Sequence, residues 1–267
     1  MENKIEFSQE HILFLKKQKR KSIFIWISKF GIFIIFLSIW EISVNFKWTD
    51  GFLISSPGRI CKTLLMLYSN NQLFNNVAYT AIETVSGFIL GTFLGMIFAI
   101  FIWLSDFLSK ILDPYLVILN AIPKVAFGPV IIAWAGAGVK SIILMSLLMS
   151  VVISIINMLS SFKETDKEKI FLMKTFGANK LQILQKLILP SNIPNIISTL
   201  KINAGMSLVG VISGEFLVSN KGIGYFIIYG SQVFKLDLVM TGIFILSILA
   251  FLMYFIISKI EKYKTKT

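Results

Sequence analysis

Six ionisable side chains sit inside long apolar runs of this chain: Lys29, Glu41, Glu83, Lys124, Lys201 and Glu215. A charge in hydrocarbon is costly, so such residues turn to a partner, a water-filled cavity or the membrane interface, and they mark solute or ion pathways. Glu41, Glu83 and Glu215 could carry protons or sodium. Lys124 lies between Pro123 and Pro129, two residues that disrupt the helical ladder and leave carbonyls in need of partners. In lipid that break is tolerated only where protein or a water-filled cavity satisfies it, so Lys124 faces such a cavity or the cytoplasmic boundary. Gly222 and Gly224, just past Glu215, mark a tight outer turn or a re-entrant piece. Lys201 and Glu215 stand 14 residues apart, about 20 Å along a straight helix, and cannot pair with each other. Pro123, Lys124, Pro129, Lys201, Glu215, Gly222 and Gly224 are therefore the candidate pathway or gate residues.

Other chemistries are excluded. Gly136-Ala-Gly138-Val-Lys140-Ser141 invites comparison with a phosphate loop, but that motif needs Gly directly before Lys, at the end of a longer loop that follows a strand. The single Cys61 precludes an internal disulfide and a multi-Cys metal site. The single His11 lies in a charged tail and reads as solvated. There is no paired His/Asp or Glu constellation and no H-E-x-x-H, so neither an enzyme, a cofactor nor a metal is expected.

The elements that must position these residues are membrane spans. The chain is 55% hydrophobic with a mean hydropathy of +0.78, far above a soluble domain. Spans need about 20 mostly apolar residues, and six are read at 23–46, 77–103, 112–135, 139–159, 194–218 and 237–258. The fold class is an all-α membrane protein with six transmembrane helices. The first run follows a basic tail, as a signal peptide would, but it is too long and no small-x-small cleavage site follows, so it reads as a retained anchor. Lys29 can snorkel to the cytoplasmic end. Glu41, near the outer end, reads as an interfacial or packing residue ahead of a proton carrier.

Seventeen Lys and Arg fall in the two tails, the loop after span 2 and the loop between spans 4 and 5, against six in the alternate loops. That bias places both termini and the central loop in the cytoplasm of a multi-pass plasma-membrane protein. It also accounts for most of the +12 charge, which sits at span ends and not on a nucleic-acid surface. The organisation is a basic tail at 1–22, a six-span domain at 23–258 containing a loop at 160–192, and a second basic tail at 259–267. In the first outer loop Ser56 can cap a helix with Pro57 in its first turn. Ile60, Leu64 and Leu67/Tyr68 then stripe a short amphipathic helix at the outer surface. Gly87, Gly91 and Gly95 in span 2 let another helix approach closely, and packing within the subunit is favoured over a dimer face. Span 6 has no ionisable residue from Leu238 to Ser258 and reads as lipid-facing or a packing helix.

The loop at 160–192 is the one long charged segment between apolar runs, and its pattern folds. Thr165 to Glu168 fits a capping box. Ile170, Phe171 and Met173 lead to Phe176, and Gly177 supplies a left-handed helix end. Asn179 caps a second helix with Gln182 at the reciprocal position. Leu181, Leu184, Leu187 and Ile188 give it an apolar face, and Pro190 stops it.

Gly177 followed at fixed spacing by Leu187-x-Leu189-Pro190 resembles the cytoplasmic-loop motif of binding-protein-dependent ABC importer permeases. Phe171, Leu172 and Met173 stand where that motif has E-A-A, and Leu187 where it has Ile. Three further pieces resemble the nitrate/sulfonate/taurine type of the same family. They are Ser56-Pro57-x-x-Ile60; Pro123, Ala126, Pro129, Ile132, Trp134 and Gly136; and Lys201, Ile202, Glu215, Leu217, Gly222, Gly224 and Tyr225. Glu83 departs from an Arg usual in the family. The resemblance implies a type I importer transmembrane subunit that pairs with a second permease copy as a homodimer. Its other partners would be a separate ABC ATPase and an extracytoplasmic substrate-binding protein. Coupling to the ATPase would run through Phe171, Leu172, Met173, Gly177, Ala178, Leu187, Leu189 and Pro190. The solute would be a small anion or vitamin precursor such as sulfonate, taurine or nitrate. The competing expectation is an ion-coupled secondary transporter using Glu41, Glu83 or Glu215, whose acids nevertheless lie toward span ends and not at the midplane.

Overall fold

A computed structural model describes residues 9–264. The expectations resting on Lys4, Lys266 and the side chain of His11 lie outside the described residues. The chain divides after Lys62 into two compact units.

The first unit holds α1 (Gln9–Asn45), α2 (Gly51–Ile54) and the start of α3 (Pro57–Ser69). Of α1, Lys17–Asn45 is long and apolar enough to cross a membrane. Glu41 has a local task that the sequence left open. Its Oε2 accepts the Gly58 N–H at 2.8 Å and its Oε1 accepts the Ser56 hydroxyl at 3.3 Å. A carboxylate thus sits on the positive end of α3, where unpaired N–H groups favour an anion. Ser56 caps as expected, accepting from Arg59 N at 3.4 Å. The expected stripe on α3 holds for Ile60 and Leu67, which are buried, but Tyr68 turns outward. Residue 68 lies 100° of helical rotation past Leu67, beyond the buried edge of so short a helix.

The second unit is a helical bundle. In order it contains α4 (Gln72–Leu104), α5 (Asp106–Ala121), a 3₁₀ turn (Lys124–Phe127), α6 (Gly128–Ala135), α7 (Val139–Lys163), α8 (Lys167–Thr175) and α9 (Lys180–Ile183). A π-turn (Leu184–Ile188), α10 (Leu189–Ser191), α11 (Ile193–Val218), α12 (Ile223–Gln232) and α13 (Leu236–Lys264) follow. Among the described residues five helices are long and apolar enough to span, six if α5 and α6 together count as one. Those two meet at 85°. The bend has a local cause: Ile122, forced extended by the proline after it, leaves the helix at φ −67°, ψ 131°. Pro129 does not break anything further. It lies in the first turn of α6, where its missing N–H costs nothing.

The centre of the bundle is α4 against α7, with α11 alongside. Gly87, Gly91 and Gly95 of α4 lie over Ser146, Ser150 and Ser154 of α7, so close that a β-carbon on any of the three glycines would overlap the facing serine. The glycine stripe is therefore used inside the subunit, as favoured from the sequence. Its complement, Ser-x-x-x-Ser-x-x-x-Ser in α7, was legible and went unread. Polar bonds join the third helix: Ser146 Oγ pairs with Ser207 Oγ at 2.7 Å, and Ser207 Oγ donates to the Thr84 carbonyl at 2.8 Å. Asn203 Nδ2 bonds to Thr92 Oγ1 at 3.0 Å and to Ser154 Oγ. In lipid, close backbone approach and such bonds hold helices together, because apolar side chains gain nothing by leaving lipid for each other. A larger apolar cluster lies at one end, where Ile102, Met158, Leu159 and Phe162 pack with Ile183, Leu184 and Ile188.

Candidate functional site

The segment from Glu164 to Asn192 folds as anticipated in outline, with three corrections. First, the cap of α8 is Asp166, whose Oδ1 accepts from Glu168 N at 2.9 Å. Thr165 instead donates to the Ser161 carbonyl and accepts from Asn192 Nδ2 at 2.7 Å. Its hydroxyl is used across the loop, and the neighbouring carboxylate is the stronger acceptor for a helix N–H. Second, the apolar face of the next helix is rotated. Ile183, Leu184 and Ile188 are buried and Leu187 is partly buried, while Leu181 is half exposed. A π-turn over Leu184–Ile188 shifts the register that a 3.6-residue period assumes. Third, Pro190 does not stop the helix; Ser191 ends it and Asn192 marks the break. The ring of Pro190 would clash with the carbonyl four residues back, and the wider π-turn before it relieves that clash.

Gly177 is placed as expected. Its φ is +77°. Its N–H reaches the Lys174 carbonyl at 2.9 Å, and the Ala178 N–H reaches the Met173 carbonyl at 3.0 Å, the paired reversed bonds of a left-handed helix end. Asn179 and Gln182 form a reciprocal capping box. Among the expected coupling residues, Phe171 and Leu172 are exposed, while Met173, Ala178, Leu187 and Leu189 pack toward the end cluster and Pro190 is on the surface. Phe176, 79% exposed, belongs with Phe171 and Leu172. Asn192, 4% exposed, also escaped the sequence reading. Its amide donates to Thr165 Oγ1 and to the Ile188 carbonyl, so it binds the entry of the loop to the start of α11. A polar residue between two prolines was the available signal.

At the opposite end of α11, Glu215 gathers several predicted residues. It is fully buried. Its Oε1 accepts from Thr80 Oγ1 at 2.6 Å and its Oε2 accepts from Gly224 N at 2.5 Å. Thr80 Oγ1 in turn accepts from Ile223 N at 2.8 Å, and Asn76 Oδ1 accepts from Gly222 N at 2.6 Å. One carboxylate thus pins the turn between α11 and α12 onto α4. Both glycines are required there, since a β-carbon on either would enter the Glu215 side chain, and Gly222 adds φ +100°, ψ 171°, a region open essentially to Gly alone. Gly222→Ala is expected to cost about 3 kcal/mol or more from strain plus overlap. The check is the melting temperature of the solubilised protein, with Gly205→Ala as control; a β-carbon at Gly205 meets nothing within 4 Å. Beside this turn a cavity of about 480 Å³ is lined by Asn71, Asn76, Tyr79, Asn220, Lys221 and Tyr225 among others. Lys221 donates to Tyr79 Oη at 3.1 Å.

The remaining candidates lie elsewhere. Lys124 is buried and its Nζ donates to the Asn120 carbonyl at 3.1 Å, so it closes the last turn of α5, whose negative end favours a cation. Pro123 and Pro129 are on the surface of the single chain. Lys201 pairs with Glu261 of α13 at 2.6 Å and lies 5.5 Å from the Tyr254 ring centroid. Thus Glu215, Gly222 and Gly224 form one cluster, and Pro123, Lys124 and Pro129 another at the 85° bend.

Comparison with known proteins agrees with this architecture. Residues 91–264 match the family described as binding-protein-dependent transport system inner membrane component. A probable ABC transporter permease protein of Haemophilus influenzae is 29% identical over 221 residues, covering 83% of this chain and 89% of that protein. The formylaminopyrimidine transport permease protein ThiX of Halalkalibacterium halodurans is 28% identical over 229 residues, covering 86% and 91%. Among solved structures, an inward-facing MetNI methionine ABC transporter superposes with a TM-score of 0.58 at 18% identity, covering 74% of this chain and 97% of that one.

Proposed function

The chain belongs to the binding-protein-dependent transport system inner membrane component family, as a permease of an ABC importer and not an enzyme, and from that premise we propose how it is energised and what it carries. A separate ABC ATPase docks on the loop between α7 and α11. The observation that carries this reading is α8 itself, a capped helix whose Phe171 and Leu172, with Phe176 at its C-cap, are all more than half exposed beside a left-handed turn, in a chain without a nucleotide motif. ATP-driven movement of α8 passes through Thr165–Asn192 and the helix from Lys180 into α11. Two copies rock to expose the pathway alternately to each side, with both tails and the loop in the cytoplasm, an orientation that the Lys and Arg bias supports. An extracytoplasmic binding protein delivers the solute to the outer face. The solute is a small anion or vitamin precursor, such as sulfonate, taurine or nitrate; the name of ThiX supports the vitamin-precursor half of that range.

The test is capture of the tagged chain from mild detergent with mass identification of what accompanies it. An ATPase bearing Walker motifs is expected at stoichiometric amount. A chain that comes down alone, yet moves solute on a proton or sodium gradient, overturns the reading.

A further inference from the structure

Where α4 and α7 end, the start of α5 and the helices α8 and α9 close around a cavity of about 200 Å³. Trp103, Asp106, Ser109, Lys163, Lys174 and Lys180 are among its lining residues. Its charge is lopsided. Lys180 pairs with Asp106 at 2.9 Å and Lys163 with Asp113 at 2.7 Å. Both pairs are substantially exposed, and such pairs exchange partners at little cost. Lys174 has no ion pair or hydrogen bond among the described residues. Lys110 adds a fourth ammonium within electrostatic reach of Asp106. Four cations therefore stand around two carboxylates.

Ser109 points to the same ligand. It is 8% exposed, it lines the cavity, and its hydroxyl has no hydrogen-bond partner among the described residues. A helical Ser or Thr can bond back to the carbonyl four residues earlier, as Ser150 and Thr84 do. Only the backbone N–H of Ser109 reaches the Ser105 carbonyl. A buried hydroxyl left without an acceptor is costly, and an anion rich in oxygen supplies one. The position selects the source of that anion. Trp103 stands one residue before the end of α4, and Trp is enriched where spans reach the headgroups. On α5, Asp106, Ser109, Lys110 and Asp113 recur at helical spacing on one face. Phe107, Ile111, Tyr115 and Ile118 form an exposed apolar stripe on another, starting beside the cavity and running away from it. We propose that the cavity holds the phosphate of an anionic membrane phospholipid, with Lys174 and Ser109 donating to its oxygens and its acyl chains lying along the α5 stripe. Basic pockets at the ends of spans suit such headgroups. The bound phosphate joins α8 and α9 to α4, α5 and α7. This proposal stands apart from the importer reading, since it needs neither ATPase nor solute.

The experiment is native mass spectrometry of the purified full chain in detergent, titrated with phosphatidylglycerol or phosphatidylcholine. The first phosphatidylglycerol is expected to bind about 30-fold tighter than phosphatidylcholine, as two uncompensated lysines imply. Lys174→Gln should weaken phosphatidylglycerol about fivefold. Ser109→Ala should weaken it about tenfold, without lowering the melting temperature in phosphatidylcholine nanodiscs, because no bond within the protein is lost. Ser109→Ala keeps every charge, so its effect separates a built site from diffuse attraction. The control is Lys259→Gln with Lys262→Gln near the end of α13, which removes two exposed cations and should change binding less than about twofold. Equal affinity for the two lipids overturns the proposal. So does a control that loses as much as Lys174→Gln, or wild-type affinity in both Lys174→Gln and Ser109→Ala. Inorganic phosphate that displaces the lipid and raises the melting temperature as far would assign the cavity to a soluble anion, and the lipid reading fails. If one variant does not fold, the other and the wild-type preference between lipids decide.

Discussion

Gly91→Val is expected to remove most of the folded protein from a detergent extract. A β-carbon at residue 91 would overlap Ser150 Oγ and come within 2.9 Å of Ser150 Cβ, and Ser150 is fully buried. A rotamer change at Ser150 could move its hydroxyl but not its β-carbon, so α4 and α7 must separate. Overpacking in a tight core costs about 1–3 kcal/mol or more. Here the separation also strains the bonds by which α11 bridges the two helices, Ser146–Ser207 to α7 and Asn203–Thr92 to α4. Lipid fills the opened gap without penalty, so no hydrophobic term resists it. A loss of at least roughly 3 kcal/mol is expected on that basis. Size-exclusion of the fluorescently tagged variant reads it as loss of the monodisperse peak. The pairing is tested by the smaller Gly91→Ala, whose defect should be largely rescued by Ser150→Gly in the same chain. A Gly91→Val protein with a wild-type melting profile would sink the assignment of this seam as the centre of the bundle.

Gly177→Asp should abolish transport in the assembled system and leave the isolated chain folded. A β-carbon at residue 177 meets nothing within 4 Å, and Asp is among the residues that visit the left-handed region most readily. The spans should therefore notice little. What changes is a charge placed beside Phe171, Leu172 and Phe176, the exposed apolar surface proposed above as the ATPase contact. Burying an unpaired carboxylate in such a contact costs on the order of 2–4 kcal/mol, a loss of about 30-fold to 1000-fold in association. Gly177→Asn has the same shape and backbone tolerance without the charge, and should keep most transport. Solute uptake and solute-stimulated ATP hydrolysis by the reconstituted complex are the readouts. Normal transport by Gly177→Asp would remove this turn from the coupling surface.

The elements legible in the sequence were those with a local cause. Long apolar runs gave the spans, Gly177 and the Asn179–Gln182 pair gave the loop, and Pro123 gave the bend. The residues that went unread act across helices. Thr80 finds Glu215 over 135 positions, Asn192 finds Thr165 over 27, and Glu41 caps a helix that begins sixteen residues later. No window of hydropathy contains both members of such a pair. The π-turn was missed for another reason, since a period of 3.6 assigns Leu181 to the buried face and only an extra residue per turn moves it out. The candidate site was half visible: Glu215, Gly222 and Gly224 stood out by type and spacing. Thr80, which holds them to α4, looks like any other small polar residue in a membrane helix.

The closures at the two ends of α8 carry one more consequence. Asp166 serves one end, the reversed bonds at Gly177 and the Asn179–Gln182 box serve the other, and Asn192 ties the loop back to its own entry. The surface is thus ordered before anything binds it. A disordered loop would spend much of its contact energy on freezing roughly 1–2 kcal/mol of backbone freedom per residue. This one keeps that energy for the complex. A small apolar patch of three side chains can then hold a partner firmly enough to be pushed and pulled. On the proposed docking, a displacement at α8 would pass to α11 through these bonds and not be lost in loose chain.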